Sequence, residues 1–197
     1  KPGSILGLLG RTGSGKTTLG RLIFRLYDVK SGSIKINNAD LREAHLETLR
    51  RNIAMVTQDV QLFRASIREN LTFFDRSIPD EKIIATLEEL ELGDWLRNQP
   101  RGLDTELATG SRSLSAGEAQ LLAFTRVFLR NPGLVILDEA SSRLDPATEQ
   151  LLERAIDKLL KNRTAIIIAH RLDTIHRADE IMILDKGSVI EYGDRRQ

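Results

Sequence analysis

Four short apolar runs divide the chain: SILGLLG from Ser4, NIAMVTQ from Asn52, LVILDE from Leu134 and TAIIIAH from Thr164. Each is nearly continuous, the pattern of strands buried on both faces of a parallel sheet. Helical spacing separates them. Leu19, Leu22, Ile23 and Leu26 fall at i, i+3, i+4 and i+7. Between Gln58 and Leu134 no comparable strand occurs, and Ile83, Leu87 and Leu90 share one helical face, with Trp95 nearby as a core residue. Strands alternating with helices predict an α/β fold, and the helical stretch predicts a subdomain inserted over about residues 59–130. SGSIKINNADL and IMILDKGSVIEYG read as strand-and-turn elements outside that core, the second turning at Lys186-Gly187.

In open α/β sheets ligands bind beyond the carboxyl ends of the strands. Those ends carry Gly10 with its loop, Gln58, Asp138 with Glu139, and His170, so four polar ends are expected to converge. GRTGSGKT, from Gly10 to Thr17, fits G-x-x-x-x-G-K-[ST] between a predicted strand and a predicted helix. Its glycines let successive N–H groups face phosphate oxygens, and the helix starting near Lys16 adds its positive end. The pattern assigns Lys16 to the β- and γ-phosphates and Thr17 to Mg²⁺. Asp138 suits a magnesium contact, Glu139 a general base that activates water, and Gln58 a contact to Mg²⁺ or to that water. His170 closes a buried strand at the same end, whereas His45 and His176 have no such context.

Two stretches also have purely structural readings. In SSRLDPATEQ, Asp145 is a natural N-cap with Pro146 at the first helical position. In SLSAGEAQLLAFTRVF, Ser115 and Glu118 form a capping-box pattern ahead of a helix that buries Leu121, Phe124 and Phe128. Ala116-Gly117 leaves little side chain over that helix end, so an anion could approach its N–H groups.

Composition narrows the classes. The 197 residues suffice for one well-buried domain with a subdomain, 41% hydrophobic and 29% charged, as in a soluble globular protein. A net charge of +1 offers no reason to expect nucleic acid or an anionic membrane surface as a partner. Cysteine is absent, which excludes disulfides and thiolate metal sites. No run approaches the length of a membrane span, and no signal-peptide pattern or internal repeat is found.

With these residues in hand, the whole chain resembles the ATP-binding cassette domain of an ABC transporter. The family's order of Walker A, Q-loop, signature, Walker B, D-loop and H-loop is matched by Gly10–Thr17, Gln58, Leu114–Glu118, Leu134–Glu139, Ser142–Asp145 and His170. The resemblance implies a P-loop NTPase core with a mainly parallel sheet, the inserted helical subdomain, and a small, truncated antiparallel β part. It implies ATP and Mg²⁺ as ligands. Gly10, Arg11, Thr12, Gly13, Ser14, Gly15, Lys16, Thr17, Thr18 and Gln58 would hold ATP; Thr17, Gln58 and Asp138 would hold the metal. Glu139 and His170 would be catalytic. Cassettes of the family dimerise head to tail, so Leu114, Ser115, Ala116, Gly117, Glu118 and Asp145 would meet the nucleotide of a second cassette. TQDVQLFRASIRENL resembles the exporter subclass, and Gln58–Leu71 would face the transmembrane domain at the cytoplasmic side of the membrane.

The sequence also departs from the family. Its signature reads Ala116-Gly117-Glu118 where Gly-Gly-Gln is usual, TELATGSRS lacks the usual acidic-glycine pattern, and Arg143 replaces a small D-loop residue. An intact Walker side with a divergent signature resembles the consensus-catalytic half of a heterodimeric exporter. The family's adenine-stacking aromatic lies further upstream than this chain reaches, so an N-terminally truncated cassette with weak nucleotide affinity is expected. The alternative class, non-transport ABC ATPases acting on nucleic acid or ribosomes, usually carries long insertions or basic patches that are lacking here. A small-molecule P-loop kinase would not explain the signature or His170, and an inert cassette would not need Glu139.

Overall fold

The computed structural model describes residues 1–57, 59–107, 114–138, 145–169 and 175–195. In chain order the elements are β1 (Ile5–Leu9), α1 (Lys16–Ile23), β2 (Lys35–Ile36), β3 (Ala39–Asp40), α2 (Leu46–Asn52) and β4 (Ile53–Val56). There follow β5 (Ala65–Ser66), α3 (Ile67–Thr72), α4 (Asp80–Glu89), α5 (Gly93–Arg97), β6 (Glu106–Leu107) and α6 (Ala116–Arg130). The chain continues with β7 (Leu134–Asp138), α7 (Pro146–Leu160), β8 (Thr164–Ile168), β9 (Glu180–Asp185) and β10 (Ser188–Asp194). They form two compact units, one of Lys1–Gln58, Pro132–Ser141 and Asn162–Gln197, the other of Asp59–Asn131 and Ser142–Lys161.

The first unit holds a six-stranded sheet in the order β10-β9-β1-β8-β7-β4. All four apolar runs lie in it, and β9, β1, β8, β7 and β4 pair in parallel. Val135, Ile136, Ile167 and Ile168 are fully buried, which explains the unbroken apolar runs. Leu8, Ile136 and Ile168 pack with Leu41, Leu49 and Ile53 in one cluster that also takes in Leu19 and Ile23 of α1. A Cβ on Gly20 would stand 3.1 Å from Ile168 and 3.4 Å from Ile136, so glycine permits the close approach of α1 to the sheet.

Two expectations need correction. Leu26 does not continue the apolar face of α1, because the helix ends at Ile23. Arg25 takes φ 53°, Leu26 N–H donates to Arg21 O and Arg25 N–H to Leu22 O, a Schellman closure that leaves Leu26 48% exposed. The IMILDKGSVIEYG hairpin is not outside the core. Its first strand, β9, pairs in parallel with β1, from Leu6↔Glu180 to Leu9↔Ile183, and β10 pairs antiparallel with β9. The local pattern shows the turn but not the distant partner strand.

The second unit is built from α3, α4, α5, α6 and α7, with β5 and β6 forming a two-residue antiparallel bridge. Ile83, Leu87 and Leu90 are buried as their spacing predicts, and α6 packs against α3, α4 and α7. A polar clamp shapes the loop before α3. Asn70, fully buried, accepts from Phe63 N–H at 2.8 Å and donates to Phe63 O and Ser66 O at 3.0 Å. Arg126 donates to Asn70 O at 2.8 Å and to Gln61 O at 2.9 Å. Burial, then the charge of Arg130, pulls Arg126 down to about 10, still protonated at neutral pH. Asn70→Ala strands these buried partners and is expected to cost about 2–4 kcal/mol, read as a lower urea midpoint. A loss under about 1 kcal/mol would show that the clamp does not hold the loop.

Candidate nucleotide-binding site

The glycine loop connects β1 to α1. Gly10 adopts φ 146°, and a Cβ there would lie 2.2 Å from Leu184 O and 2.6 Å from Ser14 Oγ. No side chain fits between the loop and β9, so only glycine lets the chain turn there. Gly187, in the turn between β9 and β10, donates its N–H to Ser14 O at 2.9 Å and braces the loop from that side. The Lys186-Gly187 turn is legible in the local sequence, whereas this contact joins residues far apart in the chain.

Lys16 begins α1 yet is only 4% exposed. Its Nζ donates to Gly10 O at 2.7 Å and to Arg11 O at 3.1 Å, so the ammonium spans the mouth of the loop with a third N–H to offer. The N-cap, Gly15, supplies no side-chain cap, and the first turn of α1 holds no acidic residue. Ser14 Oγ is buried without a hydrogen-bond partner among the described residues. Open helix N–H groups, a buried ammonium and an orphaned hydroxyl together make a cradle for a polyphosphate. Arg11, Thr12, Gly13 and Thr18 lie on its exposed side, while Thr17 is half-buried.

Asp138 ends β7, half-buried, and is level with Ile168 of β8, which is level with Leu8 of β1. The carboxylate thus stands at the sheet edge from which the loop springs, two strands or about 10 Å across. A hydroxyl and a carboxylate, Thr17 and Asp138, fit Mg²⁺, which takes few protein ligands when phosphates supply the rest. Gln58, Glu139 and His170 lie outside the described residues, as do Ser142 and Arg143. The strands leading to the first three, β4, β7 and β8, run parallel and end at this edge.

In the second unit α6 carries the predicted signature, with Ser115 as N-cap. Ser115 Oγ accepts from Glu118 N–H at 3.2 Å, and Glu118 Oε2 accepts from Ser115 N–H at 2.6 Å. The other carboxylate oxygen, Oε1, accepts from the indole N–H of Trp95 at 2.9 Å. Trp95, expected in the core, is half-buried in α5 with a polar task that no local pattern announces. Ser115 and Ala116 are exposed, Leu114 is half-buried and Gly117 is buried. Asp145, at the surface, caps α7 by accepting from Thr148 N–H at 3.0 Å.

The family model described as ABC transporter matches residues 1–142. The chain belongs to the ABC transporter family. It is 42% identical over 192 residues to the ATP-dependent lipid A-core flippase of Vibrio cholerae serotype O1, covering 97% of this chain and 33% of that protein. It is 41% identical over 195 residues to the uncharacterized ABC transporter ATP-binding protein YknV of Bacillus subtilis, covering 99% of this chain and 32% of that one. The flippase of Pseudomonas aeruginosa is 39% identical over 198 residues, covering 100% and 33%. The chain therefore spans about a third of the length of these curated relatives. The resemblance and the α/β class read from the sequence hold. Among the described residues no helix is long and apolar enough to cross a membrane.

Lys16→Ala removes the buried ammonium and should weaken ATP binding roughly 10- to 100-fold, measured by calorimetric titration. The Asp145 cap makes a pH prediction. The Thr148 hydroxyl first, then its backbone N–H, lowers the Asp145 pKa below 3.8, so the charged cap stabilises α7 above that pH and fades as pH falls through the lowered value. Asp145→Asn keeps a neutral cap, so the urea-midpoint gap between parent and variant should shrink below about pH 3.8.

Proposed function

We propose that the chain binds ATP with Mg²⁺ and hydrolyses it as one of two cassettes stacked head to tail in a membrane exporter. The observation that carries this is the Gly10–Lys16 cradle, with its buried ammonium, uncapped helix end and orphaned Ser14 hydroxyl. Lys16 and the first N–H groups of α1 hold the β- and γ-phosphates. Thr17 and Asp138 hold Mg²⁺, with Gln58 as a further contact to the metal or to water. When bound, the metal neutralises charge developing on the transferred phosphoryl group. Glu139 accepts a proton from water as that water attacks the γ-phosphorus in line with the leaving β-phosphate oxygen. His170 contacts the γ-phosphate.

The signature serves a second chain. Ser115 and Gly117 at the start of α6 meet the γ-phosphate of the partner's ATP, Leu114, Ala116 and Glu118 flank it, and Asp145 approaches from the D-loop. Because each chain supplies a Walker side and a signature, two chains make two composite sites related by a twofold or, for unlike chains, a pseudo-twofold axis. The divergent signature supports pairing with a different cassette.

The surface after Gln58 supports a membrane-domain partner. Phe63, Phe73 and Phe74 are 40%, 39% and 52% exposed and pack edge to face at 5.6–6.0 Å. Arg126 and Arg130 lie over the Phe73 ring at 4.7 and 4.6 Å. An aromatic cluster fastened from within by two cations is a firm anchor for a helix end of a transmembrane domain. The flippase names of the relatives support an exporter at the cytoplasmic face; cargo is chosen by membrane helices and not by a cassette.

Glu139→Gln should retain ATP binding and lose about 10² to 10⁴ in turnover. Light scattering with ATP and Mg²⁺ should then show a stable assembly of two cassettes, with itself or with a co-expressed partner chain. Near-parental turnover of that variant would reject the general-base assignment.

A further inference from the structure

The start of α6 carries a conflict of its own making. On the two-chain reading above, this helix end receives the γ-phosphate of another chain's ATP. Its first turn nevertheless holds the carboxylate of Glu118. Two anions at one helix end compete for the same N–H groups and the same positive dipole. The structure commits both carboxylate oxygens inside the unit, one to Ser115 N–H at 2.6 Å and the other to Trp95 Nε1–H at 2.9 Å.

We propose that Trp95 is a positioning residue for the signature: its indole N–H ties the Glu118 carboxylate into the capping box and holds its charge off the path of the incoming phosphate. The inference rests on the two-chain reading. The indole suits the task because it donates and cannot accept, so it binds the carboxylate without competing for a helix N–H. Ser115 benefits as well. Its Oγ already accepts from Glu118 N–H at 3.2 Å, which leaves the hydroxyl proton to donate to a phosphate oxygen. Without Trp95, one carboxylate oxygen loses its donor, and the side chain can swing toward the anion. The tether thus compensates for an acid where a neutral amide would need none.

The test compares four chains: parent, Trp95→Phe, Glu118→Gln, and the double variant. ATP hydrolysis is followed at several chain concentrations. Repulsion of bound nucleotide acts equally on ground and transition states, so Trp95→Phe should raise KM for ATP about tenfold with kcat nearly unchanged. In the Glu118→Gln background the same change should move KM less than about twofold, since an amide has no charge to hold away. Equal losses in both backgrounds would assign Trp95 to packing and overturn the proposal, as would no loss beside Glu118.

Trp95 is the chain's single tryptophan, so its emission reads the contact without a label. Glu118→Ala in the nucleotide-free chain should shift the emission and raise acrylamide quenching; an unchanged signal overturns the tether directly. A hydrolysis rate per chain that is independent of chain concentration, both for the chain alone and with a co-expressed partner cassette, overturns the two-chain reading and the role built on it. That result differs from failure of the tether alone, in which the concentration dependence persists and Trp95→Phe is silent.

Discussion

Parallel pairing of β1, β8 and β7 is the constraint on which the candidate site depends. Parallel strands share a direction, so all three must finish at one edge, and the register sets Leu8, Ile168 and Asp138 level there. Such strands cannot be joined by tight turns and are covered on their faces, which is why their sequences are apolar almost throughout. Polar residues are then confined to the strand ends. The glycine loop uses the same edge, and β9 limits how near it can come: Leu184 O stands where any side chain at Gly10 would have to go. The loop's curvature is therefore a property of the sheet as much as of its glycines.

The two helix ends proposed to hold phosphate solve opposite electrostatic problems. α1 begins without a side-chain cap and without an acid, so its N–H groups and the Lys16 ammonium stand open to a polyphosphate. α6 begins with a full capping box, and its acid is retained but bound on both oxygens. A capping box stabilises a helix and spends donors that an anion could use. That balance suits an end meeting a partner's nucleotide transiently better than one holding its own.

Much of the sheet was legible in advance, because burial on both faces writes an unbroken apolar run into β1, β4, β7 and β8. The inward faces of α4 and α6 were legible from helical spacing at Ile83, Leu87, Leu121 and Phe124. Leu26 misled because a Schellman closure depends on Arg25 entering a positive φ, which no spacing rule encodes. β9 was misplaced because its hairpin with β10 is local, whereas its pairing with β1 joins positions that lie far apart in the chain. The clamp of Asn70 and Arg126 was invisible for a related reason: apart from each other, the two side chains bind backbone N–H and C=O groups, which nearly every residue has.

The amino-acid sequence by itself determined the class of fold, the motif order and the chemistry each motif could perform, since these follow from residue type and short-range periodicity. Only the tertiary structure decided how the anion-facing ends are finished. It set Gly187 and Leu184 against the glycine loop, left Ser14 Oγ without a hydrogen-bond partner among the described residues, and placed the Trp95 indole on Glu118. The Gly187 and Trp95 hydrogen bonds join distant parts of the chain at 2.9 Å, and such geometry is fixed by packing, not by local sequence.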